Sequence, residues 1–198
     1  MRYLSLIILM IYSLSIQAEP RYALVIGNSN YNSPGETGYL TNPINDAKDM
    51  KALLTSEFGF GVIDGYDVNQ EEFDYLIQEF EQQLRDSNSP AVALFYFSGH
   101  GFSGKDKENN DTNYLVPLWP KNTPPRDKIS LQHKSISSND VVASMGQYNR
   151  NGVNLMVLDA CRKSPQAFVK GYKQKKGSNP GGFVNMGSNG VFIASMPV

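Results

Sequence analysis

Hydrophobic positions along the chain follow two alternating periods, which predict strands and helices in turn. Apolar runs, typical of strands buried in a parallel sheet, occupy residues 21–27, 91–97, 153–158 and 191–196, and residues 61–68 predict a weaker strand near an edge of the sheet. Apolar stripes of helical period follow Asn42-Pro43, Asn69 and residues 137–138. Asn42 is the predicted cap of the first helix, and Asn69 with Glu72 predicts a capping box for the second. The alternation predicts an α/β domain with a parallel sheet covered by helices.

The composition of the chain suits a single globular domain. The 198 residues are 40% hydrophobic and carry a formal net charge of −1. This balance supplies a sizeable core and argues against disorder or a coiled coil. It gives no support for nucleic-acid binding, which usually requires a basic surface.

The first 18 residues have the pattern of a secretory signal peptide. One positive charge at Arg2 precedes the apolar segment 4–16, and small residues lie before Glu19-Pro20. The apolar segment of about 13 residues is short for a membrane span, which needs ~20. We therefore expect a signal peptide at 1–18, a mature domain at 19–198 that is secreted or periplasmic, and no further membrane contact. An uncleaved membrane anchor is the alternative.

The chemistry-bearing residues lie at the ends of two predicted strands. His100 is one of two histidines and Cys161 is the single cysteine, so Cys161 has no partner for an internal disulfide. If the two strands are parallel neighbours, both residues lie at the carboxyl edge of the sheet, where α/β folds place their sites. A thiol beside an imidazole is sufficient for nucleophilic acyl transfer. The alternatives are an inert buried thiol and a histidine that only satisfies backbone carbonyls.

Residues 99–104 also spell G-x-G-x-x-G directly after a strand. A dinucleotide site requires a helix to begin there, so that its N-terminus meets the pyrophosphate. Residues 105–111 carry no apolar stripe, and the expected acidic residue at the end of a following strand is missing. The pattern argues against nucleotide binding.

Several motifs in order resemble the caspase-like cysteine peptidases, the clan that unites caspases, metacaspases and paracaspases. The matching segments are residues 22–28, 40–47, 95–101, 113–117 and 158–163. The sequence Asp-Ala-Cys-Arg-Lys at 159–163 resembles paracaspases and their bacterial relatives most. The resemblance implies a three-layer caspase-like fold with a mainly parallel central β-sheet flanked by helices.

The resemblance also implies roles for particular residues. It makes His100 the general base and Cys161 the nucleophile of a cysteine endopeptidase. Attack on a carbonyl creates an oxyanion that needs fixed donors, and the backbone amides of Gly101 and Cys161 are the candidates. No cofactor and no metal are expected.

Two aspartates are candidates for the pocket that binds the substrate residue before the cleaved bond, the S1 pocket. Asp159 precedes Cys161 by two positions, which puts both residues on the same face of a strand. In relatives with Asp-x-Cys this aspartate lines a pocket for basic residues, and the resemblance adds Asp46. The expected partner is therefore a protein or peptide cleaved after Arg or Lys. The alternative for Asp46 is a solvated helix position.

The remaining candidates have simpler interpretations. His133 lies among polar residues with no strand end beside it and is expected at the surface. Trp119 departs from the acidic sequence that many relatives carry after Val-Pro, which puts a role for an acidic residue there in doubt. Asp106, Glu108 and Asp111 match no calcium-binding loop pattern.

A catalytically silent caspase-like module that acts in protein interaction is the alternative function. The chain ends soon after the predicted strand 191–196, as expected of a fragment or of a domain without its final elements. The presence of both His100 and Cys161 favours the peptidase. The sequence leaves the physiological substrate and the oligomeric state open.

Overall fold

A computed structural model of the chain describes residues 19–31, 38–120, 123, 125–162 and 191–195, with the backbone alone for residues 161, 162 and 191–195. The predicted signal peptide lies outside these residues. The strands are β1 (Arg21–Gly27), β2 (Gly61–Tyr66), β3 (Val92–Lys105), β4 (Asp111–Leu115), β5 (Ile136–Ser137), β6 (Val153–Arg162) and β7 (Val191–Ser195). The helices are α1 (Pro43–Ser56), α2 (Gln70–Asp86), α3 (Lys128–His133) and α4 (Ser138–Tyr148). In the described part of the chain, no helix is long and apolar enough to cross a membrane.

Strand β3 organises the sheet. Its first half pairs in parallel with β1, which in turn pairs in parallel with the edge strand β2. Its second half pairs antiparallel with β4, and β4 with β5. Its other edge pairs in parallel with β6, which pairs in parallel with β7. The sheet is therefore mainly parallel, as the resemblance implied, but mixed, because β4 and β5 return antiparallel.

Helices cover both faces of this sheet and make three layers. On one face, Ala47 and Leu54 of α1 pack against Leu94 and Tyr96 of β3. On the other face, α2 and α4 bury apolar side chains against the opposite side of the same strands: Phe73, Phe80, Leu84, Val141 and Met145. Alternate residues of β3 thus belong to alternate cores, as the strand period requires.

The predicted helix caps have different outcomes. The capping box at α2 is confirmed, because the Glu72 amide donates to the Asn69 side chain at 3.1 Å and the Asn69 amide donates to the Glu72 carboxylate at 2.9 Å. Ser137 caps α4 by accepting the amide of Asp140 at 3.4 Å. The predicted position of Asn42 is confirmed, because α1 begins at Pro43, but Asn42 does not cap the helix with its side chain. Its backbone is already helical, and its side chain makes no cap hydrogen bond.

Two predicted strand ends were also wrong. The sequence placed the end of β3 at residue 97 and the end of β6 at residue 158, but they continue to Lys105 and Arg162. The extensions follow from pairing, because β3 and β6 remain in register as far as Gly101 and Arg162. The polar turn after Lys105 is a hairpin that returns as β4.

Candidate active site

The parallel register of β3 and β6 brings the two candidate motifs together. His100 is the register partner of Cys161, and Ser98 is the register partner of Asp159. These positions have the same parity along the strands as Leu94 and Tyr96, which pack beneath α1. Tyr96, Ser98 and His100 therefore share the α1 face of the sheet with Asp159 and Cys161. The expected meeting of both motifs occurs, inside paired strands rather than in a loop beyond them.

The His100 side chain is fully buried. Its Nε2 lies 3.4 Å from the carbonyl oxygen of Gly38. The Tyr31 ring packs against the imidazole with centroids 4.4 Å apart and planes tilted by 45°. Because a carbonyl only accepts, a hydrogen bond at this contact requires the tautomer of neutral histidine with its proton on Nε2 and its lone pair on Nδ1.

Hydrogen bonds also fix the backbone of His100. The His100 amide donates to the Tyr31 hydroxyl at 2.9 Å, and that hydroxyl donates to the Val116 carbonyl at 3.0 Å. The Val116 amide closes the group by donating to the His100 carbonyl at 2.9 Å. One tyrosine hydroxyl thus joins the histidine strand to the chain leaving β4.

Gly99 leaves the space that the Tyr31 hydroxyl occupies. A Cβ on Gly99 would lie 2.5 Å from the Tyr31 hydroxyl oxygen and 2.8 Å from the Phe97 ring. Real Cβ atoms do not approach other heavy atoms this closely. The absence of a side chain at Gly99 therefore leaves room for Tyr31.

The direction of the Gly101 backbone amide follows from that of the His100 carbonyl. The His100 carbonyl is bonded on the β4 side of β3. Because successive residues of a strand direct their backbone groups to alternate edges, the Gly101 amide is directed to the β6 edge. Cys161 lies at that edge, in register with His100.

An acidic cluster lies next to these residues on the α1 face. Burial raises the pKa of Asp46 above the ordinary value for an aspartate, and the negative charges of Asp159 and Asp49 raise it further. Burial also raises the pKa of Tyr96, as do the charges of Asp159 and Asp46 and a hydrogen bond to Asp159. Asp46 and Asp159 are therefore close enough to interact, although they come from α1 and β6.

The other candidate residues lie away from this cluster. His133 is exposed at the end of α3, at the surface as expected but in a helix rather than a loop, and its carbonyl accepts the Gln70 side chain at 3.0 Å. Trp119 is buried, and its indole N–H donates to the Lys134 carbonyl at 2.9 Å. Asp106 accepts the Asn110 amide at 2.7 Å within the hairpin turn. Within the described ranges, no group of three His, Cys, Asp or Glu residues could hold a metal ion.

Sequence reasoning missed three residues of the site. Tyr31 and Gly38 contact His100 from a segment that is remote in sequence, and no local pattern indicates such contacts. Tyr96 was treated only as part of an apolar run, although its pKa is raised by burial and by Asp159. The sequence signal that could have identified Tyr96 as part of the site is its position two residues before Ser98, on the same strand face.

Comparison with known proteins places the chain in a family. Residues 20–192 match the family model of the caspase domain. Among solved structures, the chain is similar to the crystal structure of a protein from Geobacter sulfurreducens, with a TM-score of 0.50 and 19% identity over 72% of this chain and 51% of that one. The chain thus spans about half the length of that protein, and the likeness concerns the fold alone.

A comparison with curated proteins gave no match. The closeness to paracaspases therefore stays a prediction. The family model, however, spans most of the chain and includes both His100 and Cys161. The chain belongs to the caspase domain family of cysteine peptidases.

Proposed function

We propose that the protein is a cysteine endopeptidase that cleaves after Arg or Lys, with His100 as general base and Cys161 as nucleophile. The observation that carries the proposal is the register of β3 and β6, which pairs His100 with Cys161 on the α1 face of the sheet. Membership of the caspase domain family supports the same reaction class.

The reaction begins with proton transfer from the Cys161 thiol to Nδ1 of His100. The thiolate sulfur attacks the carbonyl carbon of the peptide, and the carbonyl electrons move to the oxygen. The amides of Gly101 and Cys161 are the proposed donors to this oxyanion, and removing one such donor typically costs ~3 kcal/mol of transition-state stabilisation. Collapse breaks the C–N bond, and the leaving amine takes the proton from the His100 imidazolium.

The second half of the reaction restores the enzyme. His100 removes a proton from water, whose oxygen attacks the thioester carbonyl carbon. Collapse of the second tetrahedral intermediate breaks the C–S bond and releases the carboxyl product. The sulfur leaves as a thiolate, and the proton held by His100 is available to regenerate the thiol. The Gly38 carbonyl at Nε2 keeps the ring in the tautomer that this proton transfer needs.

The acidic cluster supports the proposed preference for basic residues. Asp46 and Asp159 interact electrostatically, and their repulsion is one of the causes that raise the pKa of Asp46. A guanidinium or ammonium group bound between them would relieve this repulsion and pair with both carboxylates. An acidic substrate residue would add a third negative charge at the same place.

The test is turnover of fluorogenic peptides that end in Arg, Lys or Asp by residues 19–198. We expect cleavage after Arg and Lys, and its loss in Cys161→Ala and in His100→Ala to a similar extent, because the two residues act as a unit. His133→Ala is the matched control, since this exposed histidine lies outside the site. Full activity of either dyad variant would contradict the assignment.

Asp159→Ala is the arm of the same experiment that tests specificity. Loss of a desolvated charge pair costs ~2–5 kcal/mol, so cleavage after Arg should fall at least about 30-fold without any gain of cleavage after Asp. Asp86→Ala, a change at an exposed carboxylate at the end of α2 on the other face of the sheet, should stay near the parent rate. A folded parent protein that cleaves none of the peptides would favour the silent interaction module instead.

We further infer export, from the apolar segment at 1–18. An exported product whose mass begins near Glu19 would support this inference, and a full-length product retained in the cell would contradict it.

A further inference from the structure

Asp67 has an unusual backbone and an unusual set of partners. It follows β2 with a φ of +54°, in the left-handed region that few non-glycine residues adopt. Its carboxylate accepts the backbone amides of Ser29 at 2.7 Å and Asn30 at 2.9 Å, and also the Asn30 side-chain amide. Its own amide donates to the Gly27 carbonyl at 2.9 Å. Three N–H groups thus converge on one carboxylate.

The residues that Asp67 holds begin the segment 28–40, of which residues 28–31 and 38–40 are described. The Ser29 carbonyl accepts the amide of Tyr31 at 3.1 Å and that of Leu40 at 2.9 Å, which closes the base of the segment. Between these ties lie two residues that contact the His100 ring, Tyr31 on its face and Gly38 at Nε2. The residues that Asp67 binds, Ser29 and Asn30, are therefore two positions and one position before Tyr31 in the chain.

The contacts at position 67 depend on the carboxylate of Asp67 as well as on its left-handed backbone. Asparagine and glycine adopt the left-handed conformation at least as readily as aspartate. Only a carboxylate accepts from all three converging donors without placing an N–H against them. Hydrogen bonds to an ionised acceptor are also about twice as strong as neutral ones.

We propose that Asp67 is a positioning residue for His100. It anchors Ser29 and Asn30, and Ser29 in turn binds Leu40, so that Tyr31 and Gly38 hold the imidazole at the angle and in the tautomer that activate Cys161. Asp67 has no described contact with the His100 ring and acts through the segment. This inference rests on the proposed function for its consequence in catalysis, but the orientation of the ring is measurable without any reaction.

The decisive variant is Asp67→Gly in residues 19–198, which removes the carboxylate and keeps the left-handed backbone. The protein has two histidines, so the imidazole ¹⁵N signals of His100 are simple to assign with His133→Gln. We expect Asp67→Gly to change the His100 signals towards a mixture of tautomers. Asp67→Asn, which keeps one accepting oxygen, should restore them in part, and it carries the test if the glycine variant unfolds.

Asn109→Gly is the matched control, because Asn109 also has a positive φ, of +65°, in the remote hairpin turn. It should leave the His100 signals unchanged. Unchanged His100 signals in folded Asp67→Gly would overturn the inference, whatever the state of the peptidase.

Alkylation of Cys161 by iodoacetamide at pH 7, followed by intact mass, separates this inference from the proposed function. The chain has a single cysteine, so the label reports one site. Alkylation in Asp67→Gly should slow towards the His100→Ala rate, and kcat should fall about 10- to 100-fold with KM within about twofold. If His100→Ala alkylates at the parent rate, the dyad itself fails, while the ¹⁵N signals still decide the role of Asp67.

Discussion

Gly99→Ala tests how tightly the base of the site is packed. The added Cβ would lie 2.5 Å from the Tyr31 hydroxyl and 2.8 Å from the Phe97 ring, both buried. Normal contact requires roughly 3.5 Å, so the tyrosine has to move by about 1 Å. That movement breaks the hydrogen bonds that its hydroxyl makes with the His100 amide and the Val116 carbonyl.

The expected loss of stability follows from these two effects. Overpacking of a core costs about 1–3 kcal/mol, and each buried hydrogen bond that is lost costs about 1 kcal/mol. The free energy of unfolding should therefore fall by about 3–5 kcal/mol. For a domain of this size each kcal/mol lowers Tm by roughly 2–4 °C, so Tm should fall by roughly 6–20 °C.

Urea unfolding of Gly99→Ala beside Gly146→Ala measures this effect. Gly146 lies within α4, and a Cβ there meets nothing within 4 Å. Alanine at Gly146 should raise stability by up to about 1 kcal/mol, because it favours the helix. If Gly99→Ala unfolds within about 0.5 kcal/mol of the parent, the packing of Tyr31 against Gly99 is not as tight as its geometry indicates.

Two further predictions concern the acidic cluster and a helix cap. The raised pKa of Asp46 makes its charged form unfavourable in the fold, so its contribution to stability is present below the ordinary aspartate pKa of 3.8 and is lost as the pH rises through the folded value. Asp46→Asn should therefore unfold at higher urea than the parent at pH 7 but not below pH 3, while it cleaves Arg substrates more slowly; equal midpoints at pH 7 would contradict the electrostatic argument. Asn69→Ala should lower the free energy of unfolding by about 1 kcal/mol through loss of its capping box, whereas Asn42→Ala should change it by only a few tenths, because Asn42 makes no cap hydrogen bond. Equal effects of the two changes on urea midpoints would refute this difference.

The sequence predicted what local patterns determine. The apolar runs located β1, β2 and the starts of β3 and β6, and the capping box of α2 depends on residues only three positions apart. The pairing of His100 with Cys161 was also accessible, because two strands ending in chemistry-bearing residues meet at one edge of a parallel sheet.

The errors arose where partners distant in sequence decide the structure. Ser-Gly-His-Gly at 98–101 has a turn-like composition, yet pairing with β4 and β6 keeps it extended. Asn42 has the residue type of a cap, but its helical backbone denies its side chain that role. Tyr31 reaches His100 across 69 positions of sequence, and no pattern in the chain alone indicates that contact.

The role proposed for Asp67 could not be predicted from the sequence, again because its partners are distant in the chain. Asp67 follows an edge strand and resembles an ordinary turn residue in the sequence. Its role is recognised only in the folded structure, where three N–H groups of Ser29 and Asn30 donate to its carboxylate.

The parallel pairing of β3 with β6 has a consequence for how the protein folds. The two strands are separated by β4, α3, β5 and α4, so their pairing closes a long loop against conformational entropy. Non-local parallel pairings of this kind form slowly compared with local hairpins and helices. A chain in which β1, β2 and β3 have assembled but β6 has not docked contains His100 without its neighbour. Because Cys161 lies on β6, the candidate site is complete only when β6 has paired with β3.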